Sequence, residues 1–580
     1  MGSVNDMAEP IQGVRYLWRF EIPDHEATAQ ISKTLGLPPL MAAILARRQI
    51  TSAAKAREFL EPNLRNLPSP HQLPDIAKAV ERIARALKRD EQIVVYGDYD
   101  VDGLTATAVL VQFISKLGGQ VRWYVPHRVR EGYGLNSEAL RYFSREGVGL
   151  VITVDCGIGD HKEIQEAREL GLDVVVTDHH QPPSILPEAS ALVNPKQGDG
   201  GKDHRDMAGV GVAFYLATAL RAHLRGSGRW RTSNEPNLKA YLDLVAIGTL
   251  ADMAPLTSTN RILASIGLEV LARTPRAGLR ALKEICGLQE SRVSEGDVLF
   301  RLGPRLNAAG RLGSADLSLR LLLSSDLEKA RLLARELDKS NARRQAAEEK
   351  LFAEASDAIE GDGSAHESRS LVLASSGWPK GLLGLVASRL AERFGKPTIL
   401  LTRADQGWEG SGRSRDPFDL YQALDSCKQH LVRFGGHRLA AGVALTHQQL
   451  GVFRSAFEKI AQEKLIHGGI PQSWPVDVLA RLEEITPALM AYLDQLRPFG
   501  EGNPEPTFYC EDFRVENPRV LKDKHLKMTL RQGKVRFDAI GFNLVRSNRP
   551  PPIPKRLLYS PAWNYWRGEK RIQLQILDYC

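Results

Sequence analysis

Three aspartates follow an apolar run early in the chain, and their spacing is suited to binding cations. The run that begins at Gln92 ends in Asp98, Asp100 and Asp102, at alternate positions, and Gly103 follows. This pattern predicts a buried strand that carries carboxylates at its carboxyl end, where the ligand crevice of an open α/β sheet lies. Carboxylate oxygens are hard ligands and favour Mg²⁺ or Mn²⁺. The alternative is an ordinary polar turn, because Asp and Gly are also common turn residues.

Three later segments place similar side chains after apolar runs. A predicted strand at 149–154 precedes Asp155, and a second, at 173–176, leads to a pair of histidines. An apolar segment at 241–250 precedes Asp252. Carboxylates and imidazoles from several strand ends can hold two divalent ions about 3.5–4 Å apart beside a phosphoryl group. Either histidine could instead cap a helix or hydrogen-bond in the core. The candidate site residues are Asp98, Asp100, Asp102, Asp155, His179, His180 and Asp252.

The elements that must position these side chains indicate an α/β protein of several domains. Strands alternate with helices after residue 80, which predicts a doubly wound parallel sheet. A long charged helix and a smaller α/β region follow, and the chain then continues in short strands between Gly/Pro turns, as in a small β-barrel. The expected divisions are an N-terminal segment (1–80), a catalytic domain (81–326), a connecting helix (327–365), a second α/β domain (366–470) and a β domain (471–580).

Basic residues are concentrated at the C-terminus. The last seventy residues hold fifteen Lys and Arg but only seven Asp and Glu, an excess equal to the net charge of +8 of the 580-residue chain. Basic residues together with exposed rings are typical of surfaces that bind single-stranded nucleic acid. The alternatives are a solubilising surface for the charges and core positions for many of the rings. The aromatic residues in this region include Phe513, Phe537, Phe542, Tyr559, Trp563, Tyr565 and Trp566.

Other features bear on the location of the protein. The sequence has no run of about 18 apolar residues that would predict a membrane span. Its first residues, Met-Gly-Ser-Val-Asn-Asp, lack the basic and apolar regions of a secretory signal. The five cysteines are scattered and do not have the spacing of a metal site. We therefore expect a cytoplasmic protein that does not contact a membrane.

At three places the sequence resembles the DHH phosphoesterase superfamily. The segments are Gly97-Asp98-Tyr99-Asp100-Val101-Asp102-Gly103, Val154-Asp155-Cys156-Gly157 and Asp178-His179-His180. The plan of the whole chain is similar to that of superfamily members that are single-strand-specific 5′ to 3′ exonucleases. Asp98 stands beside the implied metal ligands and is included with them, and His180 is expected near the scissile phosphate. The resemblance implies that two Mn²⁺ or Mg²⁺ ions are ligated by Asp100, Asp102, Asp155, His179 and Asp252.

The second α/β region also resembles part of this superfamily. Gly435, Gly436 and His437 are similar to the Gly-Gly-His loop of the DHH-associated domain. Glycine lets the backbone approach a phosphate or sugar, and a histidine can donate to a phosphoryl oxygen. Ser411 and Arg413 resemble the anion-binding loop of the same domain. The resemblance implies that all five residues bind substrate.

Three arginines are candidates for recognising the end of the substrate. The resemblance implies that Arg128, Arg311 and Arg413 bind a 5′ terminal phosphate. A guanidinium can bind a phosphate through two parallel hydrogen bonds. Any one arginine could instead be a surface charge or part of an ion pair. The resemblance further implies that the C-terminal β domain is an oligonucleotide-binding (OB) fold.

Together these features predict a metal-dependent exonuclease that hydrolyses single-stranded DNA from the 5′ end to mononucleotides, in DNA repair and recombination. It is expected to act as a monomer, with a helicase and a single-strand-binding protein as candidate partners. One alternative is a phosphodiesterase of the same superfamily that acts on small nucleotides or short oligonucleotides, although such members are usually shorter and lack the basic C-terminal part. The other is a non-catalytic replication scaffold, which would not need the acids that this chain retains.

Overall fold

The computed structural model describes residues 9–128, 130–198, 203–230, 235–288, 292–361, 367–465, 473–545, 553–566 and 569–580, apart from the side chains of Leu312, Tyr565 and Trp566. The chain forms two compact units. One comprises Met1–Asn63 and Pro471–Cys580, and the other comprises Leu64–Ile470. The two ends of the chain therefore fold together. No described helix is long and apolar enough to cross a membrane.

The first unit begins with a short hairpin and three helices. Asp24 caps the first helix, because its side chain accepts a hydrogen bond from the backbone N–H of Ala27. Ile31, Met41 and Ala56 are fully buried on these helices. The elements are β1 (Ile11–Gln12), β2 (Leu17–Phe20), α1 (His25–Leu35), α2 (Pro39–Arg47) and α3 (Ala53–Leu60).

The second unit opens with the predicted parallel sheet, which the structure confirms. Its five strands are parallel and have the order β4-β3-β5-β6-β7. Alternate side chains of β3 enter two cores, with Ile93 and Val95 on one face and Val94 and Tyr96 on the other. The sheet is therefore doubly wound. The elements are α4 (Ile76–Arg89), β3 (Gln92–Gly97), α5 (Val101–Lys116), β4 (Val121–Tyr124), α6 (Ser137–Arg145), β5 (Val148–Val154), α7 (His161–Glu169), β6 (Asp173–Thr177) and β7 (Ala191–Val193).

The register of these strands brings the acidic motifs to one edge of the sheet. Gly97 at the end of β3 lies beside Val154 at the end of β5, which in turn lies beside Thr177 at the end of β6. The residue that follows each of these is an aspartate. Because the strands are parallel, all three aspartates leave the same edge, as the sequence pattern predicts.

Helices follow the sheet and extend the larger of its two cores. Residues 295–312 are helical throughout, with a wider π-helical turn at Val298–Leu302. The predicted long helix is confirmed: it has 35 residues, or about 52 Å at about 1.5 Å per residue. The elements are α8 (Gly209–Gly226), α9 (Leu242–Ala251), α10 (Ser258–Ala272), α11 (Ala277–Ile285), α12 (Glu295–Asp297), α13 (Gly303–Leu312), α14 (Asp316–Leu323) and α15 (Leu327–Gly361).

The rest of the second unit is the predicted smaller α/β region. Its five-stranded sheet has the order β11-β12-β10-β9-β8. Only β8 and β9 are parallel; the other neighbouring pairs are antiparallel. The elements are β8 (Leu371–Ala374), α16 (Leu383–Phe394), β9 (Thr398–Ala404), β10 (Gly407–Arg413), α17 (Leu420–Ser426), β11 (Arg433–Gly436), β12 (Ala440–Leu445) and α18 (Leu450–Lys464).

The C-terminal part of the first unit is a sheet of seven strands in the order β14-β15-β19-β20-β18-β17-β16. Among the described strands this ladder has two ends, so the sheet is OB-like rather than a fully closed ring. A further strand, β13, pairs with β2 and joins the two ends of the chain. The elements are β13 (Ser473–Val476), β14 (Val478–Leu479), α19 (Pro487–Asp494), β15 (Phe508–Glu511), β16 (Arg514–Leu521), β17 (His525–Gln532), β18 (Val535–Gly541), β19 (Arg556–Trp566) and β20 (Glu569–Tyr579).

Candidate active site

The acidic run after β3 is held by local hydrogen bonds and close packing. Asp100 caps α5, because its Oδ1 accepts hydrogen bonds from the backbone N–H groups of Asp102, at 2.9 Å, and Gly103, at 3.1 Å. Gly103 has no room for a side chain, since a Cβ there would lie 2.7 Å from the backbone nitrogen and oxygen of Asp98. Asp98 is only 4% exposed. The run is thus a rigid, buried turn that begins a helix.

Asp102 is fixed by the N-terminus of a different helix. Its Oδ2 accepts from the backbone N–H of Gly209 at 2.6 Å, and its Oδ1 from that of Val210 at 2.9 Å. Both donors lie in the first turn of α8, where the helix dipole favours a negative charge. A Cβ on Gly248 would lie 2.8 Å from Asp102 Oδ1, so α9 also approaches this carboxylate closely.

Asp155 lies at the centre of the acid cluster. It is 2% exposed, has a positive φ of 62°, and donates its backbone N–H to the carbonyl of Thr177. Its Oδ1 is 3.1 Å from Nε2 of His179 but accepts no hydrogen bond from the described residues. Oδ1 of Asp98 is likewise buried and without a hydrogen-bond donor among them. Two buried carboxylate oxygens of the cluster are therefore without a hydrogen-bond donor among the described residues.

His179 joins the parts of the cluster. Its Nε2 is 3.9 Å from Oδ2 of Asp102 and 3.9 Å from Oδ2 of Asp252, in addition to the contact with Asp155. The side chains form three groups of possible metal ligands. Within each group, the ligand atoms lie within 4.8 Å of one another. Asp155 belongs to two of these groups, and His179 also belongs to two. The groups are Asp98 with Asp100 and Asp155, Asp102 with His179 and Asp252, and Asp155 with His179 and His180.

The electrostatics of the cluster favour bound cations. Burial and the charges of neighbouring aspartates raise the pKa values of Asp98, Asp102 and Asp155 well above the ordinary range. Burial and the charge of Asp100 raise the pKa of Asp252 to about 7. Burial and the positive charge of His180 lower the pKa of His179 to about 3, so the imidazole is neutral and can act as a ligand. Hard oxygen donors, one imidazole and unpartnered buried oxygens fit Mn²⁺ or Mg²⁺.

His180 is oriented by two residues that the sequence analysis did not select. Oδ1 of Asp178 accepts from the backbone N–H groups of both histidines and lies 2.8 Å from Nδ1 of His180. The hydroxyl of Tyr133 is 3.0 Å from the same nitrogen and donates to the carbonyl of Asp155 at 3.1 Å. Burial lowers the pKa of His180, but the hydrogen bond and charge of Asp178 outweigh it and raise the pKa. The aspartate of the Asp-His-His motif could have indicated this role, whereas no pattern marks Tyr133.

Arg128 lies within electrostatic range of the other two predicted arginines, Arg311 and Arg413. Burial, with the charges of Arg128 and Arg344, lowers the pKa of Arg311 to about 10. Burial and the charge of Arg128 also lower the pKa of Arg413. Nη1 of Arg311 donates to the carbonyl of Gly381 at 3.4 Å, which joins α13 to the turn before α16. Positive charges from both α/β regions of the second unit therefore meet, as an anion site requires.

Ser411 and the Gly-Gly-His loop lie on the same sheet, on strands that are separated by β12. Ser411 lies beside Gly442, and Gly442 lies beside Gly435, so two inter-strand spacings, about 10 Å, separate the first from the last. Gly436 has a φ of 144°, and a Cβ there would lie 2.3 Å from the carbonyl oxygen of Ala440. His437 is on the exposed turn and belongs to none of the three donor groups found among the described residues.

The aromatic residues of the C-terminal sheet are mostly part of its core. Tyr559 is fully buried, and Phe513, Phe537 and Trp563 pack against the same core cluster. Phe542 is 48% exposed and is the described ring that best fits a surface role. The side chains of Tyr565 and Trp566 lie outside the described residues, so the structure does not test their predicted role.

Comparison with family models and known proteins agrees with these features. Residues 92–249 match the DHH family, N-terminal domain; residues 368–463 match the DHHA1 domain; and residues 476–578 match the RecJ OB domain. The single-stranded-DNA-specific exonuclease RecJ of Bacillus subtilis is 37% identical, over 97% of this chain and 70% of that protein. RecJ of Dickeya dadantii is 38% identical, over 93% of this chain and 96% of that protein.

A solved structure extends the similarity to three dimensions. The crystal structure of RecJ in complex with Mn²⁺ from Thermus thermophilus has a TM-score of 0.83 and 31% sequence identity, and covers 97% of this chain and 79% of that one. RecJ from the same organism in complex with Mg²⁺ has a TM-score of 0.78. Since the similarity in sequence and in structure spans nearly the whole chain, this chain belongs to the RecJ family of DHH proteins.

Proposed function

We propose that this chain is a metal-dependent exonuclease that hydrolyses single-stranded DNA from its 5′ end to mononucleotides, in DNA repair and recombination. The observation that carries the proposal is the environment of Asp155. Its buried Oδ1 has no hydrogen-bond donor in the part of the chain that the structure describes, and it lies among the carboxylates and the imidazole of the cluster. The names of its relatives, single-stranded-DNA-specific exonucleases, support the choice of substrate.

Six side chains of the cluster would hold two Mn²⁺ or Mg²⁺ ions. Asp155 and His179 each belong to two donor groups, but only Asp155 offers two ligand atoms, the oxygens of its carboxylate, so it would be the better candidate to contact both ions. When bound, the ions would lower the pKa of water and neutralise charge on the phosphate. Crystal structures of RecJ from Thermus thermophilus with Mn²⁺ and with Mg²⁺ support this choice of metal. The proposed ligands are Asp98, Asp100, Asp102, Asp155, His179 and Asp252.

His180 is proposed to act at the phosphate or at the leaving oxygen. Because Nδ1 of His180 lies 2.8 Å from the carboxylate of Asp178, that nitrogen carries the proton in the neutral ring. Nε2 is then the nitrogen that can contact substrate. The raised pKa of His180 increases the fraction that is protonated and can donate a proton from Nε2.

The arginines are proposed to bind the 5′ terminal phosphate. The charge of Arg128 lowers the pKa of both Arg311 and Arg413, which supports a shared anion. The hydroxyl of Ser411 would add a hydrogen bond to the same phosphate. The DNA strand would be contacted by β11 and the turn after it, through Gly435, Gly436 and His437. A fixed terminal phosphate would place the first phosphodiester bond beside the acid cluster.

The domain organisation and partners are also proposed. Residues 81–326 would form the catalytic domain, residues 327–365 the connecting helix, residues 366–470 the substrate-binding domain and residues 471–580 the OB-like domain. The basic surface of the last would bind single-stranded DNA. We further propose that the protein acts as a monomer in the cytoplasm, on strands that a helicase opens and a single-strand-binding protein covers.

The direct test is digestion of DNA labelled at either end, as single strands and duplexes, with Mn²⁺, Mg²⁺ or a chelator. We expect immediate release of labelled mononucleotide from the 5′ end of single strands, and no reaction with chelator. Asp155→Ala should abolish hydrolysis, whereas Glu81→Ala, at an exposed position of α4, should not. Degradation from the 3′ end, activity in chelator, or a preference for dinucleotides over DNA would contradict the proposal.

A further inference from the structure

A cavity of about 150 Å³ lies beside the acid cluster in the second unit. Its lining includes Asn307 and Arg311 from α13, Arg344 from α15 and Leu385 from α16. Ala251, the residue before the proposed ligand Asp252, also lines it. A water needs only about 10–15 Å³ of such space, so the cavity is large enough for a phosphate group.

Arg344 adds a second arginine to the lining of this cavity, beside Arg311. Its side chain is only 11% exposed, and its charge contributes to the lowered pKa of Arg311. Two guanidinium groups thus line one small cavity and repel each other. The acidic partner of Arg344 is Glu348, whose Oε2 is 2.6 Å from Nη1. Nε of Arg344 donates to Oδ1 of Asn341 at 3.2 Å.

Glu348 is shared between arginines of two neighbouring helices. Its other oxygen, Oε1, is 3.3 Å from Nη1 of Arg389 on α16. Nη2 of Arg389 is also 2.9 Å from Oε2 of Glu349, so two carboxylates balance Arg344 and Arg389. The guanidinium of Arg311, whose pKa is lowered by burial and by Arg344, is the charge left over. Buried like charges are costly unless a counter-ion is present, so the arrangement favours an anion in the cavity.

We propose that Arg344 is a fourth arginine of the end-recognition site and a specificity residue for a 5′ phosphate over a 5′ hydroxyl. The inference rests on the proposed function and adds a residue to it. A terminal phosphate carries about −1.5 to −2 charge at pH 7, since its second pKa is about 6. A strand with a 5′ hydroxyl has no such charge. An additional buried cation stabilises only the phosphorylated end.

A structural role for Arg344 must be separated from this one. The ion pairs of Glu348 connect α15 to α16, and loss of Arg344 could act only by loosening that contact. Glu348→Gln breaks the ion pairs with both arginines but keeps the cation of Arg344. Arg343→Gln removes an exposed neighbouring cation on the same helix and is the matched control.

The experiment compares kcat/KM for matched single strands with a 5′ phosphate and with a 5′ hydroxyl. Loss of a charge-assisted hydrogen bond predicts that Arg344→Gln lowers the ratio about tenfold or more. Arg344→Lys should restore part of it. Glu348→Gln and Arg343→Gln should keep the wild-type ratio. An equal loss on both ends in Arg344→Gln, or an equal fall of the ratio in Glu348→Gln, would overturn the proposal.

Binding separates this inference from the proposed function. Fluorescence anisotropy of labelled oligothymidylates, with and without a 5′ phosphate and without divalent metal, measures end preference in the absence of hydrolysis. We expect the wild-type protein to prefer the phosphorylated strand and Arg344→Gln to lose that preference. Preference without hydrolysis under any metal condition would refute the exonuclease but keep this site. A wild-type protein with no end preference would refute the site.

Discussion

Gly209 offers a way to disturb the acid cluster without removing any ligand. Its backbone N–H donates to Asp102, and a Cβ on it would lie 2.8 Å from both Cβ and Oδ1 of Asp155. A single methyl group would therefore push on the central carboxylate of the site. We predict that Gly209→Ala is folded but strongly impaired in hydrolysis.

The size of the effect follows from the overlap. Carbon atoms in favourable contact are about 3.5 Å apart, so the 2.8 Å approach requires a shift of about 0.7 Å. A misplacement of about 1 Å at a reacting centre can cost about 100-fold in rate. We therefore expect kcat/KM on single-stranded DNA to fall roughly 10- to 100-fold. The overlap should also lower the stability of the folded protein. Part of that loss is offset because alanine is a better helix former than glycine.

Gly211→Ala is the matched control for this prediction. It lies on the same turn of α8, but the nearest atom to its Cβ would be Cε of Met207 at 3.5 Å, an ordinary contact. The assay is steady-state hydrolysis of a 5′-phosphorylated strand, with circular dichroism melting to check folding. Full activity in a folded Gly209→Ala variant, or an equal loss in Gly211→Ala, would refute the argued link between α8 and Asp155.

Three further predictions concern other parts of the molecule. Asp178→Asn should lower the pKa of His180, because it removes the carboxylate that raises that pKa, and should lower kcat about 100-fold. NMR titration measures the pKa, and the pH–rate profile measures its effect on hydrolysis. An unshifted pKa of His180 would contradict the prediction. In the metal-free protein the pKa of Asp252 is about 7, so the folded state keeps a proton that the unfolded chain loses near pH 4. The stability of the metal-free protein in thermal melts should therefore fall as pH rises from about 4 to 7. Mn²⁺ should reverse this trend. A metal-free protein that gains stability over that range would show that Asp252 is not the controlling group. Asp578→Ala removes the buried acceptor of the N–H groups of Arg15, Tyr16 and Trp18. It should destabilise the first unit by about 3 kcal/mol in denaturant titrations. Mn²⁺ binding by the second unit should be unchanged.

The strand-end acids could be predicted because their signal is local. An apolar run followed by aspartate gives both the strand and its end, and parallel pairing then brings Asp98 and Asp155 to one edge. The supports of the site carry no such local signal. Gly209 contacts Asp102 from 107 positions away in sequence, and only the folded chain reveals that its N–H is a partner.

Other features were missed for identifiable physical reasons. Strand β19 was not predicted, because it contains Pro561, and proline within a run argues against a strand. The N-terminal hairpin donates hydrogen bonds to Asp578 of the C-terminal sheet, a buried acid whose partners lie more than 500 residues away in sequence. The role of Arg344 was not visible either, since a charged residue on a long helix is most often on a solvated face.

Mn²⁺ anomalous scattering from crystals of this protein would show whether the acid cluster holds the metal ions of the reaction. We expect two anomalous peaks about 3.5–4 Å apart, with Asp155 between them, and the loss of at least one peak in Asp155→Ala. A crystal with no peak among Asp98, Asp102, Asp155 and Asp252, or with peaks unchanged in Asp155→Ala, would contradict this expectation.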